Sequence, residues 1–303
     1  MTHPFSTLRD LLRYAVTRFG QAKVCYGHGS LNAYDEAAYL ILHTLNLPLD
    51  MLEPFLDARL LDAEREALLA VIERRTVDRI PAAYITREAW MHGYRFYVDE
   101  RTIVPRSFIG ELLQERLQPW IADGDAVGSV LELCTGSGCL AILAAIAFPD
   151  ARIDAVDLSA QALEVAAINL ADYALEPRVS LYQGDLYAPL PESARYDLLL
   201  SNPPYVNDGS MARLPAEYQH EPVLALAGGS DGMDIVRRIV AGARAYLHDA
   251  GLLVVEIGNE RANVEADPLL GSLPLTWATT SGGDDTIFMI QAVDLPDPHA
   301  FKA

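Results

Sequence analysis

Apolar residues return at helical spacing between residues 6 and 19, where Leu8, Leu11, Leu12, Ala15, Val16 and Phe19 fall on one side. With Ser6 as N-cap and Gly20 as the stop, this stretch is expected to form an amphipathic helix. Residues 33–45 and 62–78 are expected to be helices as well, the second opened by Asp62 and turning Leu68, Leu69 and Ile72 to one side. The texture then changes to two β-prone runs, Tyr94-Arg95-Phe96-Tyr97-Val98 and Thr102-Ile103-Val104, which should pair as a hairpin around Asp99-Glu100-Arg101. Farther on, short apolar runs at 130–133, 153–156, 179–182, 198–200 and 252–255 alternate with helical segments such as 159–171 and 231–247. Strands alternating with helices predict a parallel, doubly wound sheet whose ligand sits at the carboxyl ends of the strands.

Composition narrows the class. The chain has 303 residues, enough for two domains with separate cores, and is 51% hydrophobic and 21% charged, as a packed chain is. Its longest apolar run, residues 140–148, falls far short of the roughly 20 residues that a membrane-spanning helix needs. The start, Met1-Thr2-His3-Pro4, has neither a basic region nor an apolar stretch, so no secretory signal is expected. Cys25, Cys134 and Cys139 form no CxxC pair and leave an odd count, which argues against a disulfide framework or a metal site and for a reducing cytoplasm.

The formal net charge of −19 is uneven: residues 1–100 carry 11 basic and 14 acidic side chains, the remainder 12 and 28. Such acidity repels phosphate backbones and attracts a basic protein, although it also simply keeps an enzyme soluble. With Lys23 and Lys302 as its two lysines, the chain shows no basic face for a nucleic acid.

Two motifs carry chemistry. The run 130–133 leads through Cys134-Thr135-Gly136-Ser137-Gly138 into an apolar helix, a turn whose glycines let backbone approach a ligand. Asp157 ends the next strand, where a carboxylate can accept both hydroxyls of a ribose, and Asp185 ends the following one, placed for an adenine amino group. Each acid alone reads equally well as a loop cap; together they fit an adenosine-bearing cofactor. The third glycine of a dinucleotide fingerprint is Ala141 here, a permitted but less informative variant.

The second motif, Asn202-Pro203-Pro204-Tyr205, follows the fourth strand. Prolines fix the backbone and donate nothing, so their carbonyls and the Asn202 side-chain oxygen can accept both hydrogens of a substrate –NH2, while Tyr205 offers a face to a planar group. The plain alternative is a proline-rich turn.

At these residues the chain resembles the class I methyltransferases acting on nitrogens of planar groups, and specifically the HemK-type protein glutamine methyltransferases. The likeness extends to Arg79-Ile80-Pro81-Ala82-Ala83-Tyr84-Ile85, to Ile103-Val104-Pro105-Arg106 and to residues 225–232. It implies an α/β fold: a Rossmann-like seven-stranded domain over 107–303, with 286–290 as its antiparallel strand, a helical protein-recognition domain over 1–87 and a hairpin linker over 88–106. It implies S-adenosylmethionine as cofactor, held by Glu132, Thr135, Gly136, Gly138, Asp157, Asp185 and Asn202. Asn202, Pro203 and Tyr205 would be catalytic, with Pro204 and Arg106 joining them on the substrate. Ser107-Phe108-Ile109-Gly110-Glu111 replaces the usual Pro-x-Thr-Glu and Cys134 a frequent glycine, which resembles the branch that methylates a glutamine of a basic large-subunit ribosomal protein. Release factors or an amino group of a nucleic-acid base are the alternative acceptors, and a non-catalytic cofactor-binding regulator is the alternative class. His220 is the nearest candidate base, though a lone loop histidine is commonly without a role.

Overall fold

The computed structural model describes residues 5–297, so the readings of residues 1–4 and of the lysine at 302 lie outside the described residues. First come α1 (Leu8–Ala22), α2 (Ala33–Thr44), α3 (Asp62–Thr76) and the short α4 (Ala82–Thr86), whose Leu11, Phe19, Leu40, Ile41, Leu68 and Ile72 share one apolar core. Their ends correct the expected ones. Thr7 rather than Ser6 caps α1: its hydroxyl oxygen accepts the Asp10 N–H (3.3 Å), and the Asp10 carboxylate accepts the Thr7 N–H (3.0 Å). Gly20 lies inside this helix, which closes on Lys23 in the left-handed conformation. Asp62 is the first residue of α3.

The hairpin is displaced from its expected position. It joins β1 (Glu88–Met91) to β2 (Tyr94–Tyr97), with Ala89 opposite Phe96. His92 (φ 52°) and Gly93 (φ 84°) form its two-residue turn, the geometry that matches strand twist. Thr102-Ile103-Val104 pairs with no strand, because Asp99 closes a turn of its own: its carboxylate accepts the Arg101 N–H (3.1 Å) and guanidinium (2.8 Å). The freed segment runs instead toward the sheet.

There follow α5 (Ile109–Gln114), β3 (Ser129–Leu133), α6 (Cys139–Ala147), β4 (Arg152–Asp157), α7 (Ala160–Asp172), β5 (Val179–Gln183), β6 (Tyr196–Ser201), α8 (Asp208–Met211), α9 (Asp234–Tyr246), β7 (Leu247–Glu256), α10 (Arg261–Ala266), β8 (Thr276–Trp277) and β9 (Ile287–Gln291). Seven strands form one sheet in the order β5-β4-β3-β6-β7-β9-β8, parallel except where β9 meets β7 and β8. Strand alternation feeds two cores: Leu198 and Leu200 face α5 and α6, whereas Leu199 faces α9. Because β4 and β6 flank β3 and the chain winds away on both sides, a crevice opens at the carboxyl ends of β3 and β6. No helix among the described residues is long and apolar enough to cross a membrane.

Candidate functional site

At the end of β3 the backbone turns through left-handed residues at Cys134 (φ 63°), Gly136 (φ 57°) and Gly138 (φ 77°). A Cβ on Gly138 would stand 3.1 Å from that of Ala166, so this position also needs a residue without a side chain. The turn is braced from both sides. Glu132 is buried and accepts the Thr135 hydroxyl at 2.5 Å; burial pushes its pKa up to about 8. Asp157 accepts the N–H groups of Gly136 and Ser159, each at 2.8 Å, and burial raises its pKa against the pull of these donors.

A cavity opens between this turn and the ends of β4 and β5, walled by Cys134, Gly136, Asp157, Asp185, Asn202 and Pro204. Asp185 lies in the turn beyond β5, two positions past its last residue Gln183, and pairs with Arg238 of α9 at 2.7 Å. Glu132, Thr135 and Gly138, also expected to hold a cofactor, belong to the strand end and turn that line the cavity, where the Glu132–Thr135 hydrogen bond braces the loop. On the same wall Thr102 contributes a buried hydroxyl that has no hydrogen-bond partner.

A second cavity lies on the other side of Asn202 and is lined by Pro203, Tyr205, Arg106, Tyr218 and Leu214; Asn202, Ile103 and Ala225 belong to both. The Ser201 hydroxyl donates to the Leu133 carbonyl (2.9 Å), locking the end of β6 to β3. Asn202 Nδ2 donates to the Arg106 carbonyl (3.2 Å), which fixes the amide and leaves Oδ1 as its acceptor. Residues 225–232 have a steric explanation here. A Cβ on Gly228 would stand 2.7 Å from the Tyr205 Cα, and one on Gly232 would strike the Tyr205 carbonyl oxygen, so both glycines let the chain pack flat on the back of Tyr205.

Arg106 lines this cavity with its charge already paired to a carboxylate. Its guanidinium grips Glu221 through both terminal nitrogens (2.5 and 2.7 Å) and lies 5.3 Å from the centre of the Tyr218 ring. The Glu221 carboxylate is buried, and a buried carboxylate needs such a cation. Burial opposes the charge of Glu221, yet the Arg106 hydrogen bonds hold its pKa down to about 2. That need is the signal in the sequence that pattern reading passed over. His220, the candidate base, sits outside both cavities with Nε2 2.8 Å from the Asp78 carbonyl, while its neighbours Tyr218 and Glu221 turn inward.

Three other side chains went unnoticed in the sequence. Glu256, at the end of β7, accepts the Ser107 hydroxyl (2.5 Å) and the Phe108 N–H (3.0 Å), and burial pushes its pKa up to about 7. Ser107 thereby anchors the start of α5. Glu217, fully buried, accepts Arg75 (3.0 Å), Arg79 (2.8 Å) and the Cys25 N–H (3.0 Å), all from the helical region. His28, also from the helical region, is buried with its ring 4.4 Å from that of Tyr218.

Residues 110–216 match the family model described as the methyltransferase small domain. Among curated proteins the chain is similar to the ribosomal protein uL3 glutamine methyltransferase of Burkholderia pseudomallei, 68% identical with 97% of each chain covered. It is 57% identical to the Bordetella pertussis protein of the same description, with 94% of each covered. Among solved structures, the hMettl16 catalytic domain in complex with a MAT2A 3'UTR hairpin superposes with a TM-score of 0.50 at 12% identity, over 80% of this chain and 87% of that one, a likeness of fold alone. Identity of this order across nearly the whole length places the chain in the family of ribosomal protein uL3 glutamine methyltransferases.

Proposed function

We propose that the protein transfers a methyl group from S-adenosylmethionine to the side-chain amide nitrogen of a glutamine in ribosomal protein uL3. The observation that carries this reading is the meeting of two cavities at Asn202, one walled by acids and a glycine turn, the other by proline and tyrosine residues. The description shared by the relatives supplies the acceptor.

The first cavity fits the cofactor. Asp157 Oδ2 accepts the Gly136 N–H and Oδ1 the Ser159 N–H, the carboxylate has further lone pairs for a ribose hydroxyl, and the unpartnered Thr102 hydroxyl stands ready for a polar group. Gly136, Asp157, Asp185 and Asn202 would hold S-adenosylmethionine, which supplies an electrophilic methyl group on a sulfonium sulfur. In the second cavity, Asn202 Oδ1 and the Pro203 carbonyl accept the two hydrogens of the substrate amide. An amide nitrogen is a weak nucleophile because its lone pair is delocalised, and holding both hydrogens aligns it and favours loss of planarity. Orientation of this sort lowers a barrier by up to about 7–11 kcal/mol in ideal intramolecular cases. Tyr205 packs against the amide plane, and burial keeps its phenol protonated. No strong base is needed: as the N–C bond forms and the methyl–sulfur bond breaks, the nitrogen becomes acidic and its proton would pass to solvent.

The same proposal divides the chain at about residues 87 and 106, with the helical region receiving the acceptor protein. A reducing cytoplasm is supported by free thiols at Cys25, Cys134 and Cys139. The test offers the purified protein labelled cofactor with uL3, a release factor or RNA at two ionic strengths. Transfer should be fastest to uL3, and association should slow as salt screens the acidic surface over about 10 Å. Faster transfer to the release factor or to RNA would refute the acceptor assignment.

A further inference from the structure

One face of the second cavity is held by residues that never touch its interior. Tyr218, which lines the cavity, is in contact with both Arg106, 5.3 Å from its ring centre, and His28, whose ring centre is 4.4 Å away. Gly27 lets this clasp close, since a Cβ there would stand 2.6 Å from the Tyr218 hydroxyl. His28 Nε2 comes within 3.5 Å of Glu221 Oε1, the oxygen that also receives Arg106 and the Val104 N–H. His28 is 4% exposed; its Nε2 faces the Glu221 carboxylate as a long ion-pair contact, and its Nδ1 has no hydrogen-bond partner.

A buried nitrogen without a partner, as Nδ1 is here, costs stability, and an apolar side chain of similar volume would avoid that cost. Packing therefore does not account for a histidine here. Its neighbours do: the ring abuts the aromatic wall of the cavity, and Nε2 faces the carboxylate that orients Arg106.

We propose that His28 is a positioning residue for the acceptor glutamine, setting Tyr218 and, through Glu221, Arg106, so that the helical region completes the substrate cavity rather than serving only as a docking surface. This rests on the methyl-transfer reading above. His28 lines neither the cofactor cavity nor the second cavity, so its effect should fall on the acceptor alone.

The experiment compares His28→Leu, His28→Gln and wild type, full length, for transfer to uL3, cofactor affinity by calorimetry and Tm. His28→Leu should keep or raise Tm and leave cofactor affinity unchanged, while kcat/KM for uL3 falls about tenfold, the equivalent of one charge-assisted contact. His28→Gln, which keeps a donor toward Glu221, should recover much of that loss. Combining His28→Leu with Glu221→Gln should cost no more than Glu221→Gln alone, because both act on one wall. Wild-type kcat/KM in His28→Leu would overturn the proposal, as would a fall in Tm or cofactor affinity in parallel with turnover, which would assign His28 to packing. A wild-type chain that methylates no uL3 would bring down the functional reading and this proposal with it.

Discussion

Replacing Asp157 by Asn changes one atom of the cofactor cavity and reverses its polarity there. The carboxylate offers two acceptors, one to the Gly136 N–H and one to the Ser159 N–H, each at 2.8 Å. A carboxamide has one oxygen and one NH2, so whichever way it turns, one backbone donor faces another donor. Losing a single charge-assisted bond costs about 2 kcal/mol, or roughly 30-fold in Kd. Calorimetry with S-adenosylmethionine and with S-adenosylhomocysteine should both show this loss, since the adenosine part is common to the two. Burial raises the Asp157 pKa, so the wild-type advantage should shrink as pH falls through that raised value and the carboxylate is neutralised. Wild-type affinity in Asp157→Asn, or a deficit independent of pH, would remove Asp157 from the site.

Asn202→Ala should leave cofactor affinity largely intact and abolish most of kcat, because the residue aligns the nitrogen; matched losses in both would show that it serves the cofactor instead. Gly232→Ala forces a methyl against the Tyr205 carbonyl oxygen at φ 81° and should cost about 1–3 kcal/mol of stability together with uL3 turnover; unchanged turnover would show that the backbone of Tyr205 can shift freely. Glu256 has a folded-state pKa near 7 against an ordinary 4.5, so its contribution favours the fold below about pH 4.5 and is lost as pH rises through 7. Glu256→Gln should therefore gain stability relative to wild type between about pH 5 and pH 8 by denaturant titration, by something on the order of 3 kcal/mol, and a difference that does not vary with pH would refute the assignment.

Most of the sheet was legible because β3, β4, β6 and the end of β7 are short buried apolar runs bounded by turn residues, whereas β8, two partly exposed residues at Thr276–Trp277, leaves no such signature. Local competition obscured the hairpin: Asp99 and Arg101 look like a turn between two strands, and they do form a turn, yet His92-Gly93 supplies the pairing geometry. Motif residues such as Asn202 and Tyr205 were found because proline and strand-end position constrain them locally. Glu221, Glu217 and His28 escaped because each takes its meaning from partners more than 60 positions away, Arg106 for the first and Arg75 and Tyr218 for the others. A charged arginine in an apolar segment poses the question of its carboxylate, but sequence alone does not say which of many acids answers it.

Glu217 bears on how this enzyme could be recombined. Its side chain stands on the catalytic side, while Arg75, Arg79 and the Cys25 N–H reach it from the helical side. A chimera that grafted a foreign helical region onto residues 107–303 to redirect acceptor choice would leave that buried carboxylate without its cations, at a cost of about 3–5 kcal/mol. Modular exchange therefore requires that Arg75 and Arg79 travel with their acid, so the unit that can be swapped includes the loop over 207–227 as well as the helices.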